Sequence, residues 1–143
     1  MTLSYEEERI LQSMVGRAAV QDLTIRQHRA PERGDVTTWL GTFVVEGVLD
    51  LPGHEPICGH PALQRWFATA PRPPAVLLAD SVVSVDGVRG TQECRTLVAT
   101  GQSTPEQTYF GAVHPVVDEV VYERGRWYFA RRQVLAASEE PVR

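Results

Sequence analysis

Lysine is missing from this sequence: all 14 basic side chains are arginine. That excludes a Schiff-base lysine, the lysine of a phosphate-binding loop and a lysine general base together. Cysteine is nearly as scarce. Cys58 and Cys94 are the only two, too far apart for a CxxC pair or a metal knuckle. Positive charge is in deficit, 14 basic against 18 acidic groups for a formal net charge of −4. Nucleic-acid binding rests on an excess of basic groups meeting phosphates, so no nucleic-acid partner is expected. No apolar run approaches the roughly 20 residues that a membrane-crossing helix needs, and the opening MTLSYEEERILQSM is too acidic and polar for a secretory signal. These absences point to a cytoplasmic protein without a membrane partner, its two thiols reduced and packed inside. Glycines are scattered, with no GxGxxG behind a strand and no HExxH, so neither a cofactor nor a metal is expected.

What is present fits one globular unit. A chain of 143 residues supports a single domain, 1–143, with a polar, frayed tail over 137–143. From Tyr5 to about Ala30 the spacing predicts a helix, capped by Ser4 and carrying Glu6, Glu7 and Glu8 in its first turn. Its apolar positions are Ile10, Leu11, Met14, Val15, Ala18, Ala19, Leu23 and Ile25. Pro31 and Gly34 end it, and Asp35 caps a second short helix through Leu40. Phe43–Leu51 reads as a strand closed by Pro52-Gly53, and Ala62–Ala68 as a third helix. The PRPP run, 71–74, is a stiff connector. Strands then follow: Val76–Val85, Val88–Thr100 across the Asp86-Gly87 turn, Gln107–Tyr122 interrupted at Pro115, and Trp127–Ala136. Helices first and a meandering sheet later is an α+β layout.

Two stretches carry a family resemblance. The first runs from Asp22-Leu23 through Glu32-Arg33-Gly34-Asp35 to Phe43, Gly47-Val48-Leu49-Asp50 and Gly59-His60-Pro61-Ala62-Leu63. It is similar to the opening of SnoaL-like proteins, DLxxxYxxxxDxGD, then FxxDxVxD, then G-(R/H)-x-A-(I/L). The second, Asp118-Glu119 followed by Glu123-Arg124-Gly125-Arg126-Trp127 and on to Arg132, resembles that family's last hairpin. The family belongs to the nuclear transport factor 2-like superfamily, with scytalone dehydratase, polyketide cyclases and ketosteroid isomerase. The resemblance implies a cone-shaped, strongly curved antiparallel or mixed sheet packed on N-terminal helices, and an oligomer, with a homodimer expected.

It also implies a site. In the dehydratase branch a carboxylate near the end of the first helix pairs with a mid-chain histidine, which acts as base because imidazole titrates near neutral pH. The carboxylate position falls on Glu32. The helix tyrosine falls on Gln27, and no histidine stands near Pro73–Val76, so the pair is not copied intact. His114 lies on a strand at the parity of Val116, which offers two readings: a displaced partner for Glu32 across the pocket, or a half-buried ring satisfied by backbone. Glu32 and His114 are therefore the candidate catalytic residues. Gln27, His28, Trp39, Phe43, Trp66, Tyr109, Val116 and Arg132 are candidate substrate contacts, with one of Gln27 and His28 pointing fully inward.

Three questions stay open in the sequence. Either Gln92, Cys94 and Thr96 or Glu93, Arg95 and Leu97 look into the cone. Asp118 with Arg95 offers an epoxide hydrolase-like set. His54 and His60 read as solvated and as a surface or capping group. The functional expectation is a cofactor-independent lyase, isomerase or cyclase using general acid–base chemistry on a small hydrophobic, cyclic molecule. The alternative is a non-catalytic small-molecule-binding or dimerisation module of the same fold.

Overall fold

The structure, a computed structural model, describes residues 2–70, 76–100 and 109–137, with the side chains of 98–100 and 109–112 outside that description. The connector at 71–74 and most of the tail expected over 137–143 also lie outside the described residues.

Helix α1 spans Tyr5–Arg29. The Ser4 hydroxyl accepts from Glu7 N at 3.2 Å while the Glu7 carboxylate accepts from Ser4 N at 2.7 Å. This reciprocal capping box fixes where the helix begins. A 3-10 turn, Pro31–Arg33, follows, and Gly34 at φ 66° closes it in the left-handed region that glycine enters without cost. Asp35 then caps α2, Val36–Gly41, by accepting from Thr38 N at 3.0 Å. Helix α3 is His60–Thr69, with Pro61 in its first turn, where a missing N–H costs nothing.

The α1 face differs from the expected one. Ile10, Leu11, Met14 and Val15 are exposed, by 50 to 62 %, and the buried stripe is Gly16, Val20, Leu23, Thr24 and Gln27. Steps of three and four residues are kept, but the stripe begins later and is half polar. At Gly16 the helix packs close on the sheet: a Cβ there would stand 3.0 Å from Val85 Cγ1.

The strands are β1 (Phe43–Asp50), β2 (Ile57–Cys58), β3 (Val76–Asp86), β4 (Arg89–Thr100), β5 (Tyr109–Glu123) and β6 (Arg126–Val134). They form one six-stranded sheet ordered β2-β1-β6-β5-β4-β3. Only β1 and β6 run parallel; the other pairs are antiparallel. Register shifts place extra residues in β1, β3, β5 and β6, bulges that increase local bend and twist. The sheet curls over the helices and stays open, its edge strands being β2 and β3. The core beneath it gathers Leu23, Trp39, Phe43, Leu63, Val120 and Phe129.

Two strand expectations need correction. β5 runs through Pro115 without a break. The Pro115 carbonyl accepts from Leu135 N at 2.8 Å, and N and O of one strand residue point the same way, so the absent N–H faces the point where β6 has just ended. There it removes no interior rung. β2 had no counterpart in the sequence reading: two residues are too few for an alternation to register. Cys94 is buried as expected, but Cys58 is exposed on β2, and neither forms a disulfide. Among the described residues no helix is long and apolar enough to cross a membrane.

Candidate functional site

A cavity of about 570 Å³ opens between the concave face of the sheet and the three helices. Trp39 from α2, Trp66 and Phe67 from α3 and Val116 from β5 form its apolar walls. Trp39 and Trp66 stack with ring centroids 5.6 Å apart, and such offset pairs hold both rings in place.

The polar floor is built row by row across the sheet. Register opposes Gln92 on β4 to Asp118 on β5, and Asp118 to Arg132 on β6. All three side chains are buried. Arg132 Nε lies 3.1 Å from Asp118 Oδ1, and the Gln92 amide donates to Asp118 Oδ2 at 3.0 Å and to the Thr24 hydroxyl at 2.7 Å. A second guanidinium nitrogen donates to the Gln27 carbonyl oxygen, the Gln27 amide nitrogen donates to the Thr42 hydroxyl at 3.2 Å, and Phe129 stacks under the guanidinium at 4.9 Å. Burial pushes the Asp118 carboxyl above its ordinary range, opposed by Arg132 and by the Gln92 hydrogen bond. Burial likewise raises the Cys94 thiol.

This settles which face of β4 looks inward. Gln92, Cys94 and Thr96 are buried, Glu93 and Arg95 exposed. The hydrolase-like set of Asp118 with Arg95 therefore does not assemble: Arg95 reaches out to Asp80 at 3.6 Å, and Asp118 takes Arg132. Gln92 and Thr96 belong to one of the two alternative faces of β4 read from the sequence, whereas Thr24 and Thr42 were not singled out; Thr24 is one turn from Gln27 on α1, and Thr42, at the end of α2, carries no such signal.

The expected site residues fall as follows. Gln27 is buried and His28 half-buried; both line the cavity, and so do Glu32, Trp39, Trp66, His114, Val116 and Arg132. Phe43 does not. It is buried at the start of β1 against Trp39 and Phe129, with centroids at 5.2 and 6.0 Å, as a core residue. Tyr109 opens β5, and its side chain lies outside the described residues. Glu32 sits in the 3-10 turn, exposed at the rim. His114 Nδ1 lies 3.0 Å from the Leu135 carbonyl. A carbonyl only accepts, so Nδ1 carries a proton and donates it, which selects the tautomer with its lone pair on Nε2 in the neutral ring. No hydrogen bond or ion pair joins Glu32 to His114 among the described residues.

His28 Nε2 is buried without a hydrogen-bond partner among the described residues, as are Asp118 Oδ1 and Arg132 Nε, which face each other only as an ion pair. Burial, with the Arg132 charge adding to it, lowers the pKa of His28 to about 3. The other histidines are accounted for. His60 Nε2 donates to the Phe43 carbonyl at 3.0 Å, tying α3 to β1, and exposed His54 bonds the Glu55 carbonyl at 2.7 Å.

Residues 12–133 match the family model described as a SnoaL-like domain. Among solved structures, a protein of unknown function with a cystatin-like fold from Nostoc punctiforme is 20% identical, with a TM-score of 0.72 over 97% of this chain and 96% of that one. A Catenulispora acidiphila protein solved in complex with S-DNPA is 27% identical, with a TM-score of 0.69 over 82% and 90%. ActVI-ORFA from Streptomyces coelicolor is 16% identical, with a TM-score of 0.73 over 86% and 97%. No curated protein matches the chain.

Proposed function

The chain belongs to the SnoaL-like domain family, and from that footing we propose that its cavity takes one small hydrophobic, cyclic molecule and moves a proton on it without a cofactor, as a lyase, isomerase or cyclase. The observation that carries this is the cavity itself: aromatic and aliphatic walls around a small set of convergent polar groups, which is how small-molecule sites are made. In this reading His114 Nε2 is the base, its tautomer fixed by the Leu135 carbonyl. Glu32 at the rim stabilises the imidazolium or returns the proton, each group meeting the ligand from its own wall. The Catenulispora acidiphila relative, in complex with S-DNPA, supports a small-molecule occupant.

A thermal-shift panel of polycyclic ketones and hydroxylated aromatics finds binders, and each binder is then followed by NMR in deuterium oxide. The expected result is protein-catalysed exchange of protons next to the carbonyl, lost in His114→Ala and lowered about a hundredfold in Glu32→Gln, the low end of general acid–base effects. Stabilisation by ligands with no exchange for any of them overturns the catalytic reading in favour of a binding module. That second reading has its own support, since Glu32 and His114 are not hydrogen-bonded to each other among the described residues.

A further inference from the structure

We propose that the outward face of α1 pairs with the same face of a second copy of this chain, the two helices running antiparallel about a two-fold axis at Ala18. The pairing lies outside the cavity and does not rest on what the cavity does.

Helix α1 carries two rows of side chains. The buried row includes Gly16, Val20, Leu23 and Gln27. A second row, Met14, Ala18, Gln21 and Ile25, runs two residues before it, and two residues are about 200° of helical turn, so it points the opposite way. Leu11 extends that row toward the N-terminus, and the alternating steps of three and four residues are those of a helix–helix seam. Leu11, Met14 and Ile25 are 50, 54 and 43 % exposed, and Ala18 and Gln21 are exposed as well. Single exposed apolar side chains are ordinary on a protein surface. A continuous row along most of a 25-residue helix, about 38 Å long, marks a contact surface.

The charges name the occupant. Tyr5–Arg29 holds four acidic and four arginine side chains, so the helix has no net charge to draw it to nucleic acid or anionic lipid. The two signs are segregated instead: Glu6, Glu7 and Glu8 stand in the first turn, Arg26 and Arg29 in the last. No ion pair engages any of these five among the described residues. A parallel copy would set acid against acid, and like charges face to face are strongly disfavoured at an interface. An antiparallel copy sets the acidic turn of each helix against the basic turn of the other. With Ala18 against Ala18, Leu11 meets Ile25 of the other copy, Glu7 and Glu8 meet its Arg29 and Arg26, and Met14 packs beside its Gln21. Alanine at the crossing suits the close end of the usual spacing of roughly 8–10 Å between helix axes. One helix pair buries less than a standard interface of about 800 Å² per partner, so the expected affinity is micromolar.

The test is sedimentation equilibrium of the full chain from about 1 µM to 1 mM, a span that brackets micromolar affinities. The wild-type mass is expected to rise from 15.9 kDa toward twice that value. Ala18→Glu keeps a good helix former at an exposed position but puts two carboxylates at the crossing, and it is expected to weaken pairing at least about tenfold. Glu8→Arg and Arg26→Glu, each measured alone, are expected to do the same. An equimolar mixture of those two variants should return to the wild-type constant, because each offers the charge that the other has lost. A wild type that stays monomeric throughout overturns the proposal; if it then sediments with phosphatidylglycerol vesicles, a lipid surface takes the place of the second copy. Dimers whose constant is unchanged in Ala18→Glu use another surface, such as the convex face of the sheet, and overturn it too. Swapped variants that do not recover on mixing overturn the antiparallel arrangement. Should Ala18→Glu not fold by circular dichroism, the mixing experiment decides.

Discussion

Asp118 and Arg132 stand directly opposite each other on neighbouring strands, Nε to Oδ1 at 3.1 Å, with side chains only 0% and 3% exposed. An ion pair so dry recovers its desolvation cost only when the remaining donors and acceptors are also met. Here Gln92 meets the second carboxylate oxygen and Gln27 meets the guanidinium. The network ties α1, β4, β5 and β6 together at the back of the cavity and holds Arg132 in its wall.

Removing one partner should therefore cost far more than removing both. Asp118→Leu and Arg132→Met are each expected to lose about 3–5 kcal/mol, because each strands a buried charge. Asp118→Leu combined with Arg132→Met should lose clearly less than the sum. Urea denaturation of the singles and the double measures the coupling. Additive losses contradict the account of a mutually dependent pair.

His28 gives the fold an acid-side weakness. Its pKa falls from 6.5 to about 3 on folding, so between those values the unfolded chain binds more proton than the folded one. The stability that neutral His28 contributes is complete above pH 6.5 and is lost as pH falls toward 3, by up to about 1.4 kcal/mol per pH unit. Asp118, shifted upward, acts with the opposite sign just above its ordinary carboxylate range. Capped Asp35 and Glu7, shifted downward, lose their contributions only at lower pH. The difference between wild type and His28→Gln removes these terms. Its slope between pH 5 and 6.5, from urea midpoints at several pH values, should be positive. A flat difference contradicts the buried, uncharged ring.

Gly16 marks a close approach of helix and sheet. A Cβ there would lie 3.0 Å from Val85 Cγ1 and 3.5 Å from Trp127 Cζ2. Alanine gains helix propensity of roughly 1 kcal/mol against a contact that Val85 must yield by a few tenths of an ångström, so Gly16→Ala should be close to neutral. Gly16→Leu has no room and is expected to cost about 1–3 kcal/mol through overpacking. Thermal melts of both variants check the contrast. A Gly16→Leu protein as stable as wild type contradicts the packing described here.

Much of this was legible in sequence because it is local. Ser4 with Glu7, Pro31 with Gly34, Asp35 and the Asp86-Gly87 and Arg124-Gly125 turns each act within a few residues, and the elements begin and end where they say. The SnoaL-like resemblance likewise pointed to Glu32, Gln27, His114 and Val116, all of which line the cavity. What stayed hidden depends on distant partners. Nothing near Gln92 says that its side chain points in and Glu93 out; that follows from β4 lying between β3 and β5 over the helices. Phe43 looked like a ligand contact because aromatic mass near a pocket and aromatic mass in a core have the same sequence signature. The apolar residues Ile10 to Val15 suggested a buried face, yet α1 meets the sheet only from Gly16 onward. The isolation of His28 Nε2 was out of reach, because a missing partner is a property of every neighbouring side chain at once.

The three tryptophans turn the cavity into its own reporter. Trp39 and Trp66 line it, stacked at 5.6 Å, whereas Trp127 sits away from the wall with Tyr122 at 5.5 Å. A ring compound in the cavity replaces solvent beside the first two indoles and leaves the third unchanged. Titration with α-tetralone is therefore expected to change indole fluorescence in the wild type and to the same extent in Trp127→Phe. In Trp66→Phe the signal should fall by about half or more, and the affinity should weaken by up to about tenfold, since an aromatic pair adds roughly 0.5–1.5 kcal/mol beyond burial. Trp39 also packs on Phe43 and Phe67, so Trp39→Phe should weaken both the signal and the fold. If the ligand-dependent change disappears in Trp127→Phe and persists in Trp66→Phe, the compound binds outside this cavity. The roles drawn here for Glu32 and His114 then lose their common site.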